Sequence, residues 1–296
     1  MRDWENQFRE WAKPPGTTEE ERIKNAERVI RDALKSYDTL GNRNINVFTH
    51  GSYQNNTNVR VDSDIDIAVV CHDVFFPDYP EGTTKETFGN IYGGYNYEVF
   101  KNEVEDALVA RFGRTAVERG NKAFDVHENT YRVEADVAPF FEHRRYSMDG
   151  KYLTGVELRP DDGKPLKIIN WPKQHYENGI FKNNITGRKY KSIVRVLKCL
   201  RNEMLDNNFH EAEPIAGFLL ECLMWNVPNN YFSNAAYISI VKNCLVFLFK
   251  NTIKYDTCSE WVEVSELKYL FRPSQKWTWQ QTHSFLSKAW DYIGFE

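Results

Sequence analysis

The chain has no large excess of charge of either sign. Its 296 residues carry 38 Lys and Arg against 42 Asp and Glu, a net charge of −4. No global positive field is available to gather nucleic acid, although a local basic cleft is compatible with that balance. No apolar run reaches the ~18 residues that a membrane-spanning helix needs. The longest C-terminal candidate, residues 235–249, is interrupted by Lys242 and Asn243 and reads as a core helix. The five cysteines, Cys71, Cys199, Cys222, Cys244 and Cys258, are odd in number, widely spaced and without a CxxC pair. That spacing argues against both a disulfide framework and a zinc knuckle. The first residues, MRDWE, are charged, unlike a secretory leader, so the chain is expected to be cytoplasmic with no membrane partner. There is no internal repeat and no low-complexity tract.

What is present describes an ordinary globular protein, with 41% hydrophobic and 27% charged residues. The length allows a substantial core, in one large domain or two lobes. Ile23, Ala26, Val29, Ile30 and Leu34 recur at helical spacing to about residue 36, behind a capping box formed by Thr18 and Glu21. Short strands are expected at 45–48, 65–70, 124–126 and 131–137, and a helix at 99–112. Residues 72–97 and 142–167 read as loops. Beyond them the pattern turns helical, over 189–205, 215–225, 235–249 and 278–292. The expected fold is α+β, with a mixed-sheet lobe over 1–165 and a helical lobe over 166–296.

The stretch HGSYQNNTNVRVDSDIDIAVV, residues 50–70, holds the strongest chemical signal. Asp64 and Asp66 point to one face of a strand, while Ile65 and Ile67 point into a core. Asp62 shares that parity but sits nearer the loop. Adjacent carboxylates repel, and partial burial makes their joint ionisation costlier. One reading is a solvated turn whose aspartates cap neighbouring amides. The other is a site for hard divalent cations, which take oxygen ligands and leave positions open for phosphate. Two features favour the second. Gly51 and Ser52, just upstream, allow a phosphate to approach the backbone and donate a hydroxyl to it. In YRVEADVAPFF, Glu134 and Asp136 alternate with apolar residues and would bring a third carboxylate to the same edge.

In RKYKSIVRVLKCLRNEM, Lys191, Arg195 and Lys198 fall at i, i+4 and i+7 on one helix face, beside an apolar stripe of Val194, Leu197, Leu200 and Met204. That face is either solvated or a set of triphosphate contacts across a cleft from the metals.

The GS turn, the DxD strand and the distal Asp together resemble the nucleotidyltransferase superfamily related to DNA polymerase β. Asp64, Asp66 and Asp136 match its three carboxylate positions, which implies two Mg²⁺ or Mn²⁺ ions; Asp136 would neighbour the attacking hydroxyl. The segments INWPKQHYENG, KNNITGRKYKSIVRVLKCLRNE and FLLECLMWNVPNNYF narrow the likeness. Over most of the chain it is similar to the bacterial CD-NTases, the enzymes related to cGAS and DncV, and to their clade E type. The resemblance implies a two-lobed enzyme whose helical lobe closes a nucleotide cleft. It would join ribonucleoside triphosphates, ATP, UTP or others, into a cyclic second messenger for anti-phage signalling. The product would act on a separate effector protein. No Cys/His insertion for direct nucleic-acid sensing is present.

Carried across, Lys198 matches a triphosphate-binding lysine, and Gln54 either contacts the donor nucleotide or is a solvated loop residue. Asn170 corresponds to a base-contacting position at which Asn accompanies pyrimidines, and its amide offers both a donor and an acceptor to a uracil edge. A helix cap before Trp171-Pro172 is the competing role for Asn170. Where relatives carry Ser before an aromatic residue, this chain has Gly217 and Phe218, and Phe218 either stacks on a base or packs in the core. The leading expectation is a metal-dependent synthase of a cyclic dinucleotide containing uridine. Linear nucleotidyl transfer and a catalytically dead nucleotide-binding module are the alternatives.

Overall fold

A computed structural model describes residues 2–14, 16–59, 65–128 and 133–296. In chain order, α1 (Trp4–Trp11), α2 (Thr17–Lys35) and α3 (Asp38–Gly41) precede β1 (Ile45–Thr49) and α4 (Gly51–Gln54). Then come β2 (Ile65–Asp78), α5 (Tyr97–Phe112), β3 (Val117–Arg119), β4 (Phe124–Glu128), β5 (Val133–Tyr146), β6 (Tyr152–Leu158) and β7 (Ile168–Asn170). The remainder is helical: α6 (Pro172–Ile185), α7 (Lys189–Asp206), α8 (Gly217–Asn226), α9 (Tyr237–Asn251), α10 (Tyr255–Cys258) and α11 (Trp279–Ile293).

The chain folds into two compact units. One comprises Gly16–Tyr53 and Val61–Pro172; the other comprises Met1–Pro15, Gln54–Arg60 and Lys173–Glu296. Where the sequence pattern suggested a single break near residue 165, the chain passes from one unit to the other several times.

The first unit is built on one sheet, ordered β1-β2-β5-β4-β3, with β6 joining β5 to β7. β2 and β5 run parallel, and every other pairing is antiparallel. β4 flanks the first part of β5, and β6 flanks the second. Helices α2 and α5 cover the sheet. Val29 and Ile30 of α2 and Phe100, Val104 and Leu108 of α5 share a buried core with Ile67, Val69, Cys71, Val126, Val137 and Phe141. Residues 67–71 are buried without a break, as for a strand covered on both faces.

Several elements depart from the sequence expectation. Helix α2 begins one residue before Thr18, with Gly16 at the N-cap and no side-chain cap bond, so Thr18 lies inside the helix. β2 continues to Asp78 through a stretch expected to be loop, and β5 and β6 occupy part of 142–167. These strands tolerate charge because it is paired: Glu142 meets His72 Nδ1 at 2.6 Å and Arg144 Nε at 2.5 Å. The short α1, unanticipated, is capped by the Asp3 side chain accepting from the Asn6 amide at 3.1 Å. Helix α6 starts with Pro172, a residue suited to the first helical turn.

The helical unit packs around α7. Ile193, Val194, Leu197, Leu200 and Met204 share a core with Leu219 and Leu223 of α8, Val241 and Leu245 of α9 and Phe285 of α11. Phe8 of α1 is fully buried in that core. Buried Arg195, on α7, ties two distant segments to it. Its Nε donates to the Ala12 carbonyl at 3.0 Å and its Nη1 to the Asn56 carbonyl at 2.6 Å. Phe8→Ala is therefore expected to destabilise the protein by about 3–5 kcal/mol, through lost burial plus a cavity, as read from urea-unfolding midpoints.

Candidate active site

Asp66 stands at the second position of β2, half-buried between Ile65 and Ile67, which are both buried. The parallel register sets it level with Asp136 of β5. Asp125 of β4 is in turn the cross-strand partner of Asp136, so three carboxylate residues occupy one row across the sheet. Asp62 and Asp64 lie outside the described residues. Glu134 is engaged elsewhere, with its carboxylate 2.6 Å from His127 Nδ1.

The turn before β2 is fitted closely to Asp66. The His50 amide donates to the Asp66 carbonyl at 2.9 Å. Gly51 has φ +67°, and a Cβ there would lie 2.5 Å from Asp66 Oδ2. Only glycine gives both that backbone conformation and that approach. Ser52 and Gln54 follow in α4, partly exposed. Burial pushes the His50 imidazole down to about 4, and its ring meets Phe140 edge-on with centres 6.0 Å apart. Among the described residues no three His, Cys, Asp or Glu side chains close into a metal-sized cluster. Asp66 and Asp136 fit hard divalent cations through oxygen ligands at level positions, with Gly51 leaving the space at Asp66 clear.

In the helical unit, the charged face of α7 is not solvated. Lys191, Arg195 and Lys198 are only 8%, 5% and 5% exposed. Lys198 Nζ donates to Thr57 Oγ1 at 3.0 Å and lies 3.7 Å from Glu221 Oε2. The Thr57 hydroxyl donates to that same Glu221 oxygen at 2.9 Å, and His175 Nε2 lies 3.0 Å from Oε1. Burial alone would push Glu221 up, but the charge and hydrogen bonds of His175, Lys198 and Thr57 hold it down at about 2. Burial lowers Lys191 and Lys198, and Glu221 opposes that in both. Lys191 Nζ is also 5.7 Å from the centre of the Tyr176 ring.

Gly217 opens α8, and a Cβ there would lie 3.4 Å from Lys198 Cε, an ordinary contact. Phe218 is 39% exposed, with its ring 5.6 Å from His175 and 6.0 Å from Trp277, so it is not a core residue. Asn170 ends β7 opposite Val156, and Trp171 separates it from α6, so it does not cap that helix. Thr57, His175, Glu221 and Asp125 were missed from sequence. Glu221 did leave a signal, as a lone carboxylate in the apolar run GFLLECLMW.

A parallel strand pair carrying level aspartates beside a glycine-serine turn, with a helical partner unit, is the architecture of a nucleotidyltransferase. The family model for the cGAS/DncV-like nucleotidyltransferase C-terminal helical domain matches residues 177–294. The chain is 42% identical over 292 residues to a cyclic dipyrimidine nucleotide synthase from Cecembia lonarensis, spanning 98% of each. It is 42% identical to another of that name from Legionella pneumophila, again over 98% of each. The solved c-UMP-AMP synthase from Rhodothermus marinus superposes with TM-score 0.86 at 28% identity, covering 98% of this chain and 97% of that one. The chain belongs to the bacterial CD-NTases, the cGAS/DncV-like nucleotidyltransferase enzymes, in their clade E type.

Two outcomes follow from this geometry. Gly51→Ala would place a methyl group against Asp66 in a left-handed backbone. We expect a stability loss of roughly 1–3 kcal/mol and, since a misplacement of about 1 Å is costly, a fall in turnover of ~10²-fold. Nucleotide consumption and urea unfolding on one preparation check both. The folded-state value of Glu221 lies below its ordinary 4.5, so its stabilisation is complete above 4.5 and is lost as pH falls towards about 2. Glu221→Gln, which leaves Lys198 buried without its carboxylate, should lose about 3–5 kcal/mol near neutral pH. It should also flatten the acid limb of stability in urea melts.

Proposed function

We propose that the protein condenses ribonucleoside triphosphates into a cyclic oligonucleotide second messenger, a cyclic dinucleotide containing uridine. The observation that carries this reading is the level pairing of Asp66 with Asp136 across parallel strands, with Gly51 holding the neighbouring space open. Support for a uridine product comes from the two relatives named as cyclic dipyrimidine nucleotide synthases and from the donor-and-acceptor amide of Asn170.

Asp66, Asp136 and Asp64 would hold Mg²⁺ or Mn²⁺, as two ions. Such ions, when bound, neutralise phosphate oxygens and lower the pKa of an attacking hydroxyl. In the sheet unit, Gly51 and Ser52 receive the phosphates, and Asp136 neighbours the attacking hydroxyl. Asn170 reads a base edge. In the helical unit, Gln54 contacts the donor nucleotide, and Lys191 and Lys198 offset triphosphate charge. Phe218, with one face exposed, stacks on a base. Family membership supports a role in anti-phage signalling through a separate effector protein.

The test is incubation with all four ribonucleoside triphosphates and Mg²⁺ or Mn²⁺, then phosphatase treatment and mass spectrometry. A resistant product that contains uridine and is missing from Asp66→Asn and Asp136→Asn is the expected result. A resistant product without uridine overturns the base assignment. Consumption with only phosphatase-sensitive products indicates linear transfer, and no consumption indicates a binding module.

A further inference from the structure

Asn170 owes its position to a clamp formed by the strand beside it and the residue that follows it. β6 pairs with β7, setting Val156 opposite Asn170, and Gly155 pairs with His143 of β5 on its other side. A Cβ on Gly155 would lie 2.8 Å from the Asn170 carbonyl oxygen, 2.8 Å from Trp171 Cε3 and 3.0 Å from Cζ3. The Asn170–Trp171 peptide thus rests on bare backbone, and no other residue type fits beneath it.

The Trp171 ring is fixed from several directions. It is only 3% exposed. His143 meets it edge-on, with ring centres 5.5 Å apart, and the Arg145 guanidinium lies 4.5 Å from its centre. His143 is in turn fixed by Glu157, with Nδ1 3.0 Å from the carboxylate and both side chains buried. Yet the Trp171 indole nitrogen is buried without a hydrogen-bond partner among the described residues, as is His143 Nε2. A buried indole normally finds an acceptor. This one is held by packing and by its two ring contacts, with no hydrogen bond to fix it, so the ring's seat is set by the shape beneath the preceding peptide.

We propose that Gly155 and Trp171 are positioning residues for nucleobase choice: the indole seated over a glycine sets how far the Asn170 amide reaches, and that reach selects a pyrimidine nucleotide. The proposal rests on the reading that Asn170 contacts the base. The pairing edge of a purine lies farther from its sugar than that of a pyrimidine. An amide fixed at one distance therefore discriminates between them, and a shift of about an ångström is enough to spoil the fit.

The experiment supplies UTP and ATP at equal concentration to the full chain and measures the ratio of uridine to adenosine in product. The ratio cancels any loss of folded enzyme, so a merely structural role leaves it unchanged. Gly155→Ala is expected to lower it about tenfold, and Asn170→Ala to lower it similarly. Trp171→Leu, which leaves β6 untouched, should lower it as well. The ratio of UTP to ATP dissociation constants gives the same reading for any variant too slow to turn over. A parental ratio in both Gly155→Ala and Trp171→Leu overturns the proposal, whatever Asn170→Ala does. A shift in those two with no shift in Asn170→Ala retains the clamp and moves the base contact off Asn170.

Discussion

The helical unit depends on a row of charges on α7 that are buried and yet answered. Arg195 is held by backbone carbonyls at Ala12 and Asn56, and burial pushes its pKa down to about 10, so it remains charged near neutral pH. Lys198 is held in place by Thr57 and Glu221. Charges at such depth would be prohibitive alone. Here each one recruits a piece of chain remote in sequence, so the cost of burial is offset by bonds that define the unit's membership. Ala12, Asn56 and Thr57 join the helices through the oxygens they give α7, and Phe8 joins them through the core.

In the sheet unit the equivalent constraint is register. Asp66 and Asp136 are level because Ile67, Val69 and Cys71 of β2 and Val137 and Phe141 of β5 are buried in one core. A slip of one residue would exchange Ile67, Val69 and Cys71 with Ala68 and Val70, which are buried as well but differ in volume, so close packing on both faces holds the register. The carboxylate pair therefore inherits its precision from hydrophobic packing, which acts over much more surface than the site itself.

Much of this was legible in sequence, and the reasons for the rest are physical. The apolar periodicity of α5, α7, α9 and α11 identified them. Alternation put Asp64 and Asp66 on one face, and Asp136 was expected at the same edge if its strand paired beside theirs, which the register of β2 and β5 provides for Asp66. The extension of β2, the length of β5 and the whole of β6 were read as loop. Their charged residues find partners across the sheet, and pairing between strands leaves no trace in local composition. The same holds for α7: its basic face looks like a solvated stripe until Thr57 and Glu221, far away in sequence, are brought to Lys198. α1 is too short for periodicity to register, and α6 was not among the expected helices, although Pro172 suits a first helical turn.

The way the chain is apportioned also bears on how such a protein can change over generations. Its helical half is assembled from three separate stretches, two of which lie upstream of the sheet or inside its coding order. An exchange of Lys173–Glu296 alone would keep this unit whole only where the receiving chain offers Arg195 its carbonyls at positions 12 and 56 and Lys198 a hydroxyl at 57. The helical half is thus inherited as a set of contacts rather than as one contiguous stretch.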